Sequence, residues 1–269
     1  MIQTAVLLLV FAVGTVWAGP PFQTDDPDPV PFGHYEFYTF GSSDSTVAGG
    51  TSLFAPAAEF NWGAVPNVQI HAVLPMAVNF SPDHGPVNYG LSDTEIGVKY
   101  RFVQEGKRLP EIGTFPFVEV PSGSAVRGLG VGSAWYRLPV WVQKSWGDWT
   151  TYGGAGRVVI NAPGFESYNF AGWLVQRKLS KRWTLGAELF GHGEEGIGST
   201  VPRAATMLDA GGYYYFTPGF ELLFCVGHSI RGEAETYSYL GLYWTWGKDK
   251  KKSGNSAHFY HPETAAERG

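Results

Sequence analysis

Beyond residue 18 this chain has no stretch of about eighteen apolar residues, yet from Gly33 to Trp246 it repeats segments of about ten residues with alternating polarity. A chain of this kind can cross a bilayer only as strands, because hydrocarbon offers backbone N–H and C=O groups no partners outside a helix or a closed sheet. Twelve such segments can be counted, separated by clusters of Gly, Pro, Asn, Asp or Ser. The expected fold class is all-β, an antiparallel up-and-down transmembrane β-barrel of about twelve strands over residues 33–246.

The alternation is clearest from Asp93 to Phe102. Thr94, Ile96, Val98, Tyr100 and Phe102 fall on one face, and Asp93, Glu95, Gly97, Lys99 and Arg101 on the other. From Arg182 to His192, Trp183, Leu185, Ala187 and Leu189 oppose Arg182, Thr184, Glu188 and His192. Val68, Ile70, Ala72 and Leu74 oppose Gln69 and His71, and Leu240, Leu242, Trp244 and Trp246 oppose Tyr239, Gly241, Tyr243 and Thr245. The remaining segments, near 33–42, 51–61, 110–120, 133–145, 149–160, 168–179, 206–217 and 219–230, are placed by turn signals and length. Lys144–Trp149 and Leu179–Trp183 read as short turns, whereas Asn79–Leu91 and His192–Thr206 read as long loops. This asymmetry matches the short periplasmic turns and longer outer loops of bacterial barrels. Trp135, Trp146, Trp149, Trp183, Trp244 and Trp246 stand at segment ends, where interfacial rings would edge an apolar band.

Charged residues make up 16% of the chain and aromatics another 16%, a balance suited to a wall that faces lipid. A net charge of −5 leaves no basic face for nucleic acid. The apolar run Ala5–Val13 followed by Val16-Trp17-Ala18 reads as an export signal over residues 1–18. Residues 19–32 are rich in Pro and Asp, cannot join a central ladder, and read as an extended arm or partial plug. Residues 247–269 read as a polar, disordered tail. Cys225 has no partner for an internal disulfide and sits between Phe224 and Val226 as a quiet strand residue.

The candidate functional residues are those whose charge falls on the inner face: Asp93, Glu95, Lys99, Arg101, Glu188 and His192. They can form a lumen ladder that sets solute preference, or pair with neighbouring strands and stiffen the wall; both readings stand at this point. His192-Gly193-Glu194-Glu195 matches no zinc spacing and reads as solvated loop acids. Asp25, Asp26 and Asp28 lack a calcium-loop pattern. No nucleophile elbow, P-loop or Cys-x-x-Cys is present, and Glu59 with Glu188 is no more than a formal carboxylate pair. No catalytic residue, cofactor or metal is expected.

Three stretches carry a family resemblance: Gln23-Thr24-Asp25-Asp26-Pro27, Asp93-Thr94-Glu95-Ile96-Gly97-Val98-Lys99-Tyr100-Arg101-Phe102, and Phe117-Val118-Glu119-Val120-Pro121-Ser122-Gly123. Together they resemble the MetA-pathway phenol degradation family of outer-membrane transporters. The resemblance implies a porin-like channel or transporter in the outer membrane of a Gram-negative bacterium, for a small aromatic or hydrophobic solute. It also implies membrane lipid and the barrel assembly machinery as partners. Barrels of this kind usually end on the aromatic residue that assembly factors recognise, whereas here Trp246 is internal. The alternatives are a secreted soluble β-sheet protein that binds a ligand, and a lipid-processing barrel enzyme.

Overall fold

The computed structural model describes residues 20–47, 50–80, 87–197 and 201–247. The segment read as an export signal (1–18) and the one read as a polar tail (247–269), apart from Gly247, lie outside them. The chain forms a single antiparallel sheet of β1 (His34–Thr46), β2 (Gly50–Val65), β3 (Val68–Phe80), β4 (Asn88–Leu91), β5 (Thr94–Val103), β6 (Glu111–Thr114), β7 (Phe117–Val120), β8 (Trp135–Trp146), β9 (Trp149–Ile160), β10 (Asn169–Lys178), β11 (Trp183–His192), β12 (Ala205–Thr217), β13 (Phe220–Gly232) and β14 (Glu235–Gly247). β1 pairs with both β2 and β14, so the sheet closes on itself.

The wall has twelve strands, because β4 with β5 and β6 with β7 are each one strand interrupted partway. β3 pairs with both β4 and β5, and β8 with both β6 and β7. The second interruption falls at Phe115-Pro116. Proline has no N–H for the ladder, although the Pro116 carbonyl still accepts the Val98 N–H at 3.0 Å. The first falls at Ser92-Asp93, and Asp93 is drawn away to another role described below. The second interruption falls inside the segment expected at 110–120, whereas residues 88–91, expected within the long loop Asn79–Leu91, form the strand β4.

β2–β3, β8–β9 and β12–β13 are joined by two-residue turns at the end of the barrel that carries both described termini. Asn67 takes a φ of 65° in the first of these, a left-handed conformation that asparagine tolerates in tight hairpins. The longer connections 121–134 and 161–168, and the described parts of the one between β11 and β12 (193–197 and 201–204), lie at the other end.

The two faces separate as the alternation predicts. Ile96, Val98 and Leu185 point outward and are 48%, 44% and 40% exposed, which excludes a layered sandwich in which they would pack against protein. Glu95, Lys99, Glu188 and Asp209 point inward and are buried. No helix among the described residues is long and apolar enough to cross a membrane; this wall crosses with strands.

The aromatic girdle differs from the expectation. Trp146, Trp149, Trp183 and Trp246 face outward, and Tyr35 stacks on Trp246 at 5.8 Å while Phe220 stacks on Trp244 at 5.0 Å. All of these lie at the short-turn end. Trp135, expected in the opposite girdle, is 2% exposed and faces inward, where it meets Phe117 at 5.9 Å. Its place near a strand end said nothing about which face it occupied. Arg182 also departs from the expectation: it lies in the β10–β11 turn and is exposed.

Candidate functional site in the lumen

Residues 20–33 enter the barrel from the short-turn end and fill its middle. Phe22, Gln23, Thr24 and Asp25 are among the most buried residues of the protein. The arm has no ladder of its own, so its backbone groups must be satisfied by inward side chains. Gln23 donates its backbone N–H to Glu188 Oε2 at 2.8 Å, and the Thr24 N–H goes to the other oxygen of the same carboxylate. The Val30 N–H is accepted by Gln69 Oε1 at 2.9 Å. Tyr213 and Tyr237 donate their hydroxyls to the carbonyls of Pro20 and Pro21.

Charge complements these bonds. Lys99 Nζ lies 2.9 Å from Asp25 Oδ1 and 3.4 Å from Asp26 Oδ1. Arg101 Nη1 lies 2.5 Å from Asp28 Oδ1 and 3.2 Å from Glu111 Oε1. Gln23 Nε2 donates to Asp209 Oδ2 at 3.0 Å. The arm also needs small residues opposite it: a Cβ on Gly172 would stand 1.9 Å from Thr24 Oγ1, and one on Gly63 would stand 2.1 Å from the Pro31 carbonyl oxygen.

Each candidate from the sequence can now be placed. Lys99 and Arg101 hold the arm, a third arrangement beyond a free ladder or wall-to-wall pairs alone, although Arg101 also bonds Glu111 on β6. Glu188 caps the arm backbone. Glu95 pairs instead with His71 Nε2 at 2.6 Å, and His71 Nδ1 meets Asn61 Oδ1 at 2.6 Å beside Glu59. Glu59 and Glu188 therefore serve separate networks. His192 Nε2 stands 3.0 Å from Glu235 at the long-loop end.

Asp93 is buried just before β5. Its two oxygens accept the backbone N–H groups of Gly123 and Val131 at 2.9 and 2.8 Å, tying the 121–134 loop inward. Asn79 donates to the Gly128 carbonyl, and Leu129 is 1% exposed within the same apolar core as Phe22. These contacts hold the loop inward at the end opposite the arm's entry.

Glu195, expected to be solvated, is buried 3.6 Å from His192 Nδ1, and burial raises its carboxyl to about 7. Asp25, Asp26 and Asp28 are spread along the arm's cationic partners, and among the described residues no group of three or more His, Cys, Asp or Glu is placed to hold a metal ion.

Sequence reasoning missed Arg137. It faces inward from β8, with its guanidinium 4.0 Å from the Phe170 ring centroid and 5.9 Å from that of Phe117. Trp135, Trp141, Phe115 and Phe190 complete this inner aromatic cluster. The signal available was Tyr136, Leu138 and Val140 on the opposite face of the strand.

A closed twelve-strand wall, apolar outside and ionic within, with short turns at the end holding the termini, defines an outer-membrane β-barrel. No protein-family model matches the sequence, the phenol-degradation family included, and no curated protein matches it. Solved structures do match. An outer-membrane channel from Pseudomonas putida F1 aligns over 82% of this chain and 98% of that one, with a TM-score of 0.65 at 13% identity. The KdgM porin aligns over 77% of this chain and 98% of its own, with a TM-score of 0.51 at 11% identity. The NanC porin gives the same coverage and TM-score at 10% identity. At such identities the likeness is one of fold.

Proposed function

We propose that this barrel is an outer-membrane channel for a small solute, held closed by its own N-terminal arm and by the inward 121–134 loop. The observation that carries this reading is the arm's seat at mid-lumen: Lys99, Arg101 and Glu188 face the interior, and the arm occupies all three. A purely structural wall would not need inward charges whose partners come from a separate, proline-rich segment. A barrel of twelve strands lies between eight-stranded walls filled by side chains and sixteen-stranded open pores, so what occupies its interior decides whether it conducts. Once the arm leaves, Lys99, Arg101 and Glu188 line the path together with Asp93, Glu95 and His192, and a passing solute meets them.

The solute class this interior suits is aromatic or amphipathic. The supporting observation is the inner cluster of Phe115, Phe117, Trp135, Trp141, Phe170 and Phe190 around Arg137, which offers ring faces and one guanidinium. The fold neighbours named as a channel and porins agree with the channel reading. The test is planar-bilayer recording of the full chain beside a variant lacking residues 20–31, with a panel of aromatic acids and sugars of matched size. The expected result is larger conductance without the arm and current block by aromatic acids ahead of sugars. Equal conductance in the two proteins would remove the arm from the mechanism.

A further inference from the structure

The wall carries a second feature. On the outer face, where β8 to β12 approach the long-loop end, lies an open groove of about 720 Å³. Ala155, Ala171, Gly191 and Thr206 are register partners in one row across β9, β10, β11 and β12, so the floor is low. Two residues nearer the short-turn end, Trp173, Leu189 and Leu208 form a bulky, outward-facing edge; each is about half exposed.

Arg157 and Asn169 are the polar residues at the groove's upper end. Arg157 faces outward three residues before the end of β9, on the long-loop side of Trp173. A guanidinium on a lipid-facing surface needs an anionic partner or must reach toward water. Arg157 donates to Asn169 Oδ1 at 3.0 Å and to the Ser167 carbonyl at 3.5 Å, both neutral oxygens, and no carboxylate lines the groove. Arg231, exposed and in register with Thr206, adds a second cation on the β13 side. On β9 to β12 no aromatic ring among the described residues faces outward beyond Trp173 toward this end, whereas on the flanking β8 Tyr136 does, 47% exposed and in register with Val159.

We infer that this groove binds one phosphorylated lipid of the outer leaflet, with its phosphate on Arg157 and an acyl chain along the low floor against Trp173 and Leu189. The chemistry fits in both parts: a guanidinium forks onto phosphate oxygens, and a low floor beside an apolar edge matches a hydrocarbon chain. The inference rests on the wall being a membrane barrel and is independent of whether its lumen conducts.

The test uses the full chain extracted from outer membranes in mild non-ionic detergent, with retained lipid identified by native mass spectrometry. The wild type is expected to hold one lipid A-type molecule per barrel. Arg157→Ala and the groove-filling Ala171→Trp should each cut occupancy at least tenfold, and Arg157→Lys should restore part of it. Arg177→Ala, at the far end of β10, should leave it unchanged. Heat-modifiable migration shows that each variant is folded, and arm-deletion conductance, measured on the same samples, reports on the channel separately. Absence of retained lipid in the wild type, full retention in Arg157→Ala, a glycerophospholipid in place of lipid A, or binding of inorganic phosphate alone would each overturn the assignment.

Discussion

Lys99 Nζ stands 2.9 Å from Asp25 Oδ1, joining the inner face of β5 to an arm residue 74 positions earlier in the chain, with both side chains buried. Removing one partner of a buried ion pair leaves an uncompensated charge and typically costs about 3–5 kcal/mol. Lys99→Met should therefore release the arm, raise open probability in bilayer recordings and expose residues 20–31 to protease. Lys99→Met with Asp25→Asn should recover part of the closure, since the stranded carboxylate is gone. Unchanged gating in the single variant would show that the arm is held without this pair.

Gly172→Ala tests the same docking by shape alone. The added Cβ would lie 1.9 Å from Thr24 Oγ1 and 2.9 Å from Phe190 Cδ2, whereas nothing stands within 4 Å of a Cβ on Gly106. Gly172→Ala should open the channel and Gly106→Ala should not. Thr24→Gly in the Gly172→Ala background should close it again, as read by single-channel dwell times.

At the opposite mouth, Asp93→Ala removes the acceptor of the half-buried N–H groups of Gly123 and Val131, at about 1 kcal/mol for each lost bond. The 121–134 loop should loosen, and limited trypsin digestion should cut after the exposed Arg127 faster than in the wild type. Equal cutting rates would mean that Asn79 and Leu129 suffice to hold the loop.

The single cysteine reports on the arm without any engineering. Cys225 is 4% exposed and belongs to the same inner apolar cluster as Phe22. A maleimide should label it slowly in the full chain and at least tenfold faster once residues 20–31 are deleted. Slow labelling in both proteins would place the arm's exit route away from β13.

On the wall itself, Ile96→Lys puts an ammonium near the middle of a lipid-facing strand, where such a charge costs about 2–4 kcal/mol. The variant should lose that much stability in urea titrations of vesicle-folded protein, while a lysine already sits at the inward position 99 of the same strand.

Much of the wall was legible in the sequence. Ile96 and Val98 alternate with Glu95 and Lys99, and a period of two assigns each to its face whatever the neighbouring strands are. The count of twelve strands followed from turn residues, which act locally. Trp135 shows how one local signal can mislead: proximity to a strand end set its height, while its face follows Arg137 and Trp141 inward, opposite Tyr136, Leu138 and Val140. Glu195 was misread as solvated because only the folded loop brings it to His192.

The sequence by itself determined that this chain, if it crosses a bilayer, closes a strand wall with a greasy outside and an ionic inside, because period and bilayer chemistry allow no other spanning structure. The tertiary structure alone decided what the ionic inside is for. Glu188 meets Gln23 across 165 residues and Lys99 meets Asp25 across 74, and no local rule selects partners at such separations. Barrel closure makes that selection by carrying inward side chains from several strands to the one path the arm can take.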